Sequence, residues 1–123
     1  MFGREPGTLR GLYASGGVGF LHDLLVVAGG DNVFGDVARE SVQATTELVL
    51  ARKPDVIVEV RAEPATPAVV AREKAAWAPL ASVPAVRTGR IEWLTGTELV
   101  IPGPRLADAA ERLAGAIRHR TRP

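Results

Sequence analysis

Gly11-Leu12-Tyr13-Ala14-Ser15-Gly16-Gly17-Val18-Gly19-Phe20-Leu21-His22-Asp23-Leu24-Leu25 is the stretch on which the fold turns. It reads as a short buried strand from Leu9 to Tyr13, a glycine-rich turn, and an amphipathic helix. Phe20, Leu21, Leu24, Leu25 and Ala28 return to one face of a helical period, and Gly29-Gly30 ends that helix with residues that accept left-handed dihedrals. A strand running through such a turn into a helix sets backbone N–H groups at the carboxyl edge of a sheet. That edge is where open α/β sheets hold their ligands.

The same turn invites a dinucleotide reading. Gly17-Val18-Gly19 begins a G-x-G-x-x-G pattern, but His22 stands at the third position, where helix and strand need a small residue between them. No acidic residue ends a plausible second strand about 20 residues further on, where a ribose contact would sit. A Rossmann-like module binding a nucleotide or phosphate at Gly16 to Gly19 is the alternative to the reading developed below.

Composition narrows the classes. The 123 residues make one domain, 46% hydrophobic and 24% charged, with a formal net charge of +1. That balance gives no electrostatic case for nucleic acid or an anionic membrane surface. There is no cysteine, hence no disulfide and no thiolate metal site. No apolar run approaches the roughly 20 residues of a membrane helix, and no charged segment followed by an apolar one suggests a signal peptide, so a soluble chain is expected. Catalytic signatures are missing too: there is no Gly-x-Ser-x-Gly elbow and no H-E-x-x-H pair, and nothing in sequence orients His22 toward Ser15. His22 and His119 lack a second ligand at metal spacing and read as surface helix residues. An enzyme is not expected.

The remaining chain alternates strands and helices. Met1 to Thr8 reads as a polar lead-in, and Arg39 to Ala44 as irregular or briefly extended. Thr45-Thr46-Glu47 starts a short helix with a hydroxyl cap and a first-turn carboxylate, and Pro54 closes it. Val56 to Val60 is the clearest strand, β-branched and apolar on both faces until Glu59. Thr66-Pro67 caps the next helix, which runs to Trp77. Ala81 to Thr88 reads as a connector, Arg90 to Leu94 as a strand, and Thr95 to Gly103 as a loop with the apolar run Leu99-Val100-Ile101. Pro104 opens the last helix, whose Leu106, Leu113 and Ile117 share one face. This alternation predicts a three-layer α/β/α, Rossmann-like domain with a mostly parallel sheet of about four strands.

The motif order resembles a known family. Gly29-Gly30-Asp31-Asn32-Val33-Phe34, Thr45-Thr46-Glu47, Lys53-Pro54-Asp55-Val56-Ile57, Arg87-Thr88-Gly89-Arg90-Ile91 and Pro102-Gly103-Pro104-Arg105-Leu106 follow one another at near-matching spacing. Together they resemble the C-terminal lobe of class III periplasmic substrate-binding proteins, which serve ABC importers of cobalamin, iron–siderophores and haem; the cobalamin-binding branch is the most similar. The resemblance implies a single domain, residues 1–123, that is half of a two-lobed protein, with the N-terminal lobe, connecting helix and signal peptide lying upstream. It implies a periplasmic or surface-anchored location, an ABC permease as partner, and a small-molecule chelate as ligand, with no cofactor, resident metal or nucleic acid.

It also implies roles for residues. Glu47 matches the glutamate that projects from this lobe into an arginine pocket of the permease, although a first-turn carboxylate is favourable through the helix dipole without any partner. Tyr13, Ser15, Gly16 and Gly17 would meet the interlobe cleft, Tyr13 as a ligand-facing aromatic or, equally, as a buried strand-end residue. Ser41 stands where cobalamin-binding relatives carry a ligand-contacting tryptophan, and Thr97 and Ile101 replace a ligand-reaching aspartate and arginine. Glu59 and Arg61, at the end of the central strand, form an acid–base pair that could line the cleft or be one of the common exposed pairs that contribute little, while Arg105 sits at a helix start against the dipole, which points to a specific partner or a ligand role. Trp77 and Trp93 read as core. Tyr13, Val18, Leu99, Val100 and Ile101 would leave an apolar cleft face exposed on the isolated lobe, which predicts a homodimer through that face.

Overall fold

Among the described residues two short sheets, not one, are formed. The computed structural model describes Arg4, residues 7–96 and residues 106–118. The elements are β1 (Tyr13–Ser15), α1 (Phe20–Val27), β2 (Ser41–Gln43), α2 (Thr46–Arg52), β3 (Ile57–Arg61), α3 (Pro67–Ala75), a 3-10 turn (Ala78–Leu80), α4 (Pro84–Arg87), β4 (Ile91–Thr95) and α5 (Leu106–Arg118). Strands β3 and β4 pair in parallel, Ile57 opposite Ile91 and Arg61 opposite Thr95. Strands β1 and β2 pair antiparallel, Tyr13 opposite Gln43 and Ser15 opposite Ser41.

The expected α/β class therefore stands, but among the described residues the continuous four-stranded parallel sheet does not. The cause is local. After α1 the chain doubles back over the glycine turn: the Gly16 N–H donates to the Glu40 carbonyl (3.1 Å) and the Gly17 N–H to the Val37 carbonyl (2.7 Å). This approach delivers Ser41 directly opposite Ser15 with reversed direction. It demands glycine, because a Cβ at Gly16 would collide with the Arg39 carbonyl oxygen and one at Gly17 with that of Gly35.

Strands β3 and β4 send side chains into two apolar clusters. Ile57 and Ile91 face a core of Trp77, Leu80, Val83, Ala85 and Val49, together with Leu12 and Ala14 from β1 and its approach. Val58, Val60 and Leu94 alternate to the other face, against Leu24 of α1 and Ala109, Leu113 and Ile117 of α5. The packing expected for Leu113 and Ile117 is present; the side chain of Leu106 lies outside the described residues.

Local chemistry explains most boundaries. The Thr45 hydroxyl accepts from Leu48 N–H at 3.2 Å and that of Thr66 from Val69 N–H at 3.3 Å, so both hydroxyl caps are as expected. Lys53 closes α2 in the left-handed region at φ 51°, just before Pro54. Two expectations are corrected. The connector from Ala81 to Thr88 contains α4, because Pro84 at its first position is pre-organised for a helix. The first strand is shifted to Tyr13–Ser15, since β2 offers partners only there.

Candidate functional site

The β1–β2 ribbon brings together Tyr13, Ser15 and Ser41, three of the residues expected at a ligand edge. Period-two alternation puts Leu12 and Ala14 into the core, at 2% and 4% exposure, and turns Tyr13 and Ser15 to the opposite face. In an antiparallel pair, directly opposed residues share a face, so Ser41 and Gln43 join them. The ribbon thus shows one aromatic ring, 42% exposed at Tyr13, flanked by two hydroxyls and an amide. Tyr13 is not buried at its strand end. Gln43 escaped the sequence reading, because its place opposite Tyr13 follows only from the antiparallel register.

Asn32 locks this ribbon to the turn. Its side-chain Nδ2 donates to the Ser15 and Gly16 carbonyls, both at 3.0 Å, and lies 3.2 Å from His22 Nδ1; its Oδ1 accepts from Phe34 N–H. The lock satisfies two backbone carbonyls that a neighbouring strand would otherwise pair. The signal was in the sequence as an Asx residue shortly after a glycine pair and two positions before Phe34, a local turn former.

Two backbone donors of the glycine turn are already used. The Gly16 and Gly17 N–H groups already donate within the chain, and the carboxylate-bearing side chain of Glu40 lies against Gly19 at the start of α1. A phosphate would meet occupied donors and a carboxylate-bearing neighbour, the reverse of what anion binding at a helix N-terminus requires. The nucleotide alternative at Gly16 to Gly19 thus loses two of the donors it would use.

Glu59 and Arg61 do come together, but mainly inward. Glu59 is 0% exposed. Its Oε1 accepts from Arg4 Nε (2.8 Å) and Arg61 Nη2 (3.1 Å), and its Oε2 from Arg4 Nη2 (2.7 Å) and Trp77 Nε1 (3.1 Å). Four donors fill the four lone-pair positions of the carboxylate, so none is left for a ligand. Burial alone would push the Glu59 carboxyl up, but the bonds from Arg4 and Trp77 and the charges of Arg4 and Arg61 hold it below the usual carboxylate range. Glu59 is corrected from cleft residue to interior anchor. Arg61 is 23% exposed and lies over the Trp93 ring at 4.9 Å, so it retains a partly solvated cation–π face at the carboxyl end of β3. Trp77 is wholly core, and Trp93 is a half-buried platform for Arg61.

Arg4 was not foreseen. The polar lead-in expected over Met1 to Thr8 instead sends a fully buried guanidinium into the β3–α3 interior. Charged residues in a glycine- and proline-containing terminus carry no periodic sign of burial, so only the partner carboxylates, distant in sequence, reveal it.

A cavity of about 660 Å³ lies in the seam between the two sheets, lined by Ala14 and Ser15 of β1, Ile57 and Val58 of β3, and the ends of α1, α2 and α5. Of the described residues expected to bind ligand, Ser15 alone reaches it. Two of its cations are engaged: Arg52 bonds the Val33 carbonyl and Asp36, and Arg90 bonds the Ile117 carbonyl.

Glu47 is exposed in the first turn of α2, where a docking partner can reach it. Thr97, Ile101 and Arg105, with Leu99 and Val100, lie outside the described residues. Among the described residues no group of three or more histidines and carboxylates could hold a metal ion, and no helix is long and apolar enough to cross a membrane.

No protein-family model and no curated protein matches the chain. Among solved structures it is similar to the crystal structure of an ABC-type Fe3+-hydroxamate transport system from Saccharomonospora viridis DSM 43017, with a TM-score of 0.72 and 28% identity. The match covers 87% of this chain and 37% of that one, so the chain spans little more than a third of that protein's length.

Proposed function

We propose that this chain is one lobe of a substrate-binding protein that captures a metal chelate outside the cytoplasmic membrane and presents it to an ABC permease, with no chemistry of its own. The observation that carries this reading is the match across 87% of the chain to a component of an Fe3+-hydroxamate transport system, whose greater length leaves room for a second lobe. It favours a ferric hydroxamate over the cobalamin suggested by the sequence resemblance. Haem remains a further member of the ligand class.

In this reading the ligand rests on the face of Tyr13, Ser15, Ser41 and Gln43. The phenol offers a flat apolar contact for a chelate's backbone, and the hydroxyls and amide offer hydrogen bonds to its carbonyl oxygens. Gly16 and Gly17 contribute by letting the chain close behind that face. Arg61 supplies positive charge toward an anionic chelate, and Thr97, Ile101 and Arg105 belong to the same proposed cleft. Glu47 is the proposed permease contact. Tyr13 and Val18, 42% and 45% exposed, are the described part of the face proposed to pair two isolated lobes.

Calorimetric titration with the Fe3+ complex of a trihydroxamate, cyanocobalamin, haemin and ATP tests the proposal. One lobe buries only part of a ligand, so weak binding of the ferric chelate and none of ATP is expected. Clear ATP binding would overturn the reading, and submicromolar cobalamin binding would overturn both the ligand preference and the half-site picture.

A further inference from the structure

The Arg4 side chain is 0% exposed, and its three nitrogens meet five acceptor oxygens. Nε and Nη2 grip Glu59 in a two-pronged pair at 2.8 and 2.7 Å; Nη2 also reaches the Glu73 carbonyl at 2.7 Å. Nη1 reaches the Thr8 carbonyl at 2.7 Å and Glu73 Oε1 at 3.1 Å. A guanidinium has five N–H donors in a planar fork, and here there is one acceptor for each. The Trp77 ring lies 5.8 Å from the guanidinium carbon and donates its own N–H to the same Glu59 oxygen that Arg4 Nη2 grips. The receptor is in turn braced from behind: Glu73 Oε2 accepts from the Gly7 N–H at 2.7 Å and from Arg72. Two carboxylates at 0% and 4% exposure, two main-chain carbonyls and an indole thus converge on one planar cation.

We propose that Glu59, Glu73, Trp77 and the Thr8 carbonyl form a binding site specific for a guanidinium group, occupied in cis by Arg4, which clamps the segment before β1 across β3 and α3. The site discriminates by shape as well as charge. A lysine ammonium has three donors on a point charge and cannot reach acceptors spread around a plane. The Thr8 carbonyl belongs to the clamped segment itself, so the clamp and the site assemble together. This inference does not depend on the transport reading, since none of these groups faces the proposed ligand edge.

The test is chemical rescue in the full chain. Arg4→Ala strips two buried carboxylates of the cation they share, leaving only Arg61 and Arg72 at their edges, and is expected to lower Tm by roughly 10 °C or more, with Arg4→Lys nearly as damaging. Guanidinium chloride at tens of millimolar, far below denaturing levels, is expected to raise the Tm of Arg4→Ala, whereas ammonium or sodium chloride at equal ionic strength is not. Adding Glu59→Gln to Arg4→Ala should abolish the rescue. If Arg4→Ala does not fold, the readout is recovery of far-ultraviolet circular dichroism in guanidinium but not in ammonium. Arg4→Lys as stable as the parent, or equal responses to guanidinium and sodium, would overturn the proposal.

Discussion

At the scale of single residues, the chain's most buried charges carry its clearest consequence. The Glu59 carboxyl titrates below its ordinary 4.5 in the folded state, despite burial, because Arg4, Trp77 and Arg61 hold it ionised. A depressed folded pKa contributes stability above the unfolded value and loses it as pH falls through the folded one. Thermal stability is therefore expected to hold above about pH 5 and to decline steadily below pH 4.5, which melting curves across a pH series will show. Glycines give a second, opposed pair of expectations. Gly17→Ala forces a Cβ onto the Gly35 carbonyl and should destabilise by about 2 kcal/mol or more. Gly115→Ala, in the interior of α5 with open space around it, should stabilise by about 0.5–1 kcal/mol. Urea unfolding of both variants measures the contrast.

At the scale of elements, caps and periodicity decide what forms. Thr45→Ala and Thr66→Ala each remove a hydroxyl acceptor from a helix's first turn and should cost about 1 kcal/mol apiece, additively, because the two helices are separate. A double variant in urea unfolding checks both claims. These helices, with α1 and α5, were legible in the sequence because their determinants are local: a cap, a proline at the first position, an apolar face every three to four residues. β3 was legible for the same reason, as a β-branched run that alternates between two cores. The β1–β2 ribbon was not. Its direction is set by the return of residues 35–40 over Gly16 and Gly17, and nothing in Ser41-Val42-Gln43 alone distinguishes an antiparallel edge from an irregular loop. The glycines left two readings open for a related reason. A turn whose N–H groups await an anion and one whose N–H groups meet the chain's own carbonyls need the same residue type.

At the scale of the whole molecule, the interior separates from the surface proposed to bind. Arg4, Glu59, Glu73 and Trp77 are interior structure, so their substitution should alter stability first and ligand preference little. Tyr13, Ser15 and Ser41 lie on a face whose backs, Leu12 and Ala14, hold the core; substitution there should alter binding and leave Tm nearly unchanged. The resemblance seen in the motifs pointed to the edge of β1, and the register added Gln43, while Glu59 moved from the edge to the interior. The measurement that tests the central claim most directly is a titration of isotope-labelled chain with the Fe3+ complex of a trihydroxamate, followed by paramagnetic broadening of the amide signals. Broadening that saturates and is strongest at Tyr13, Ser15, Ser41 and Gln43 is the expected result. No saturable broadening at those four residues, or shifts centred on Gly16 to Gly19 with ATP instead, would contradict it.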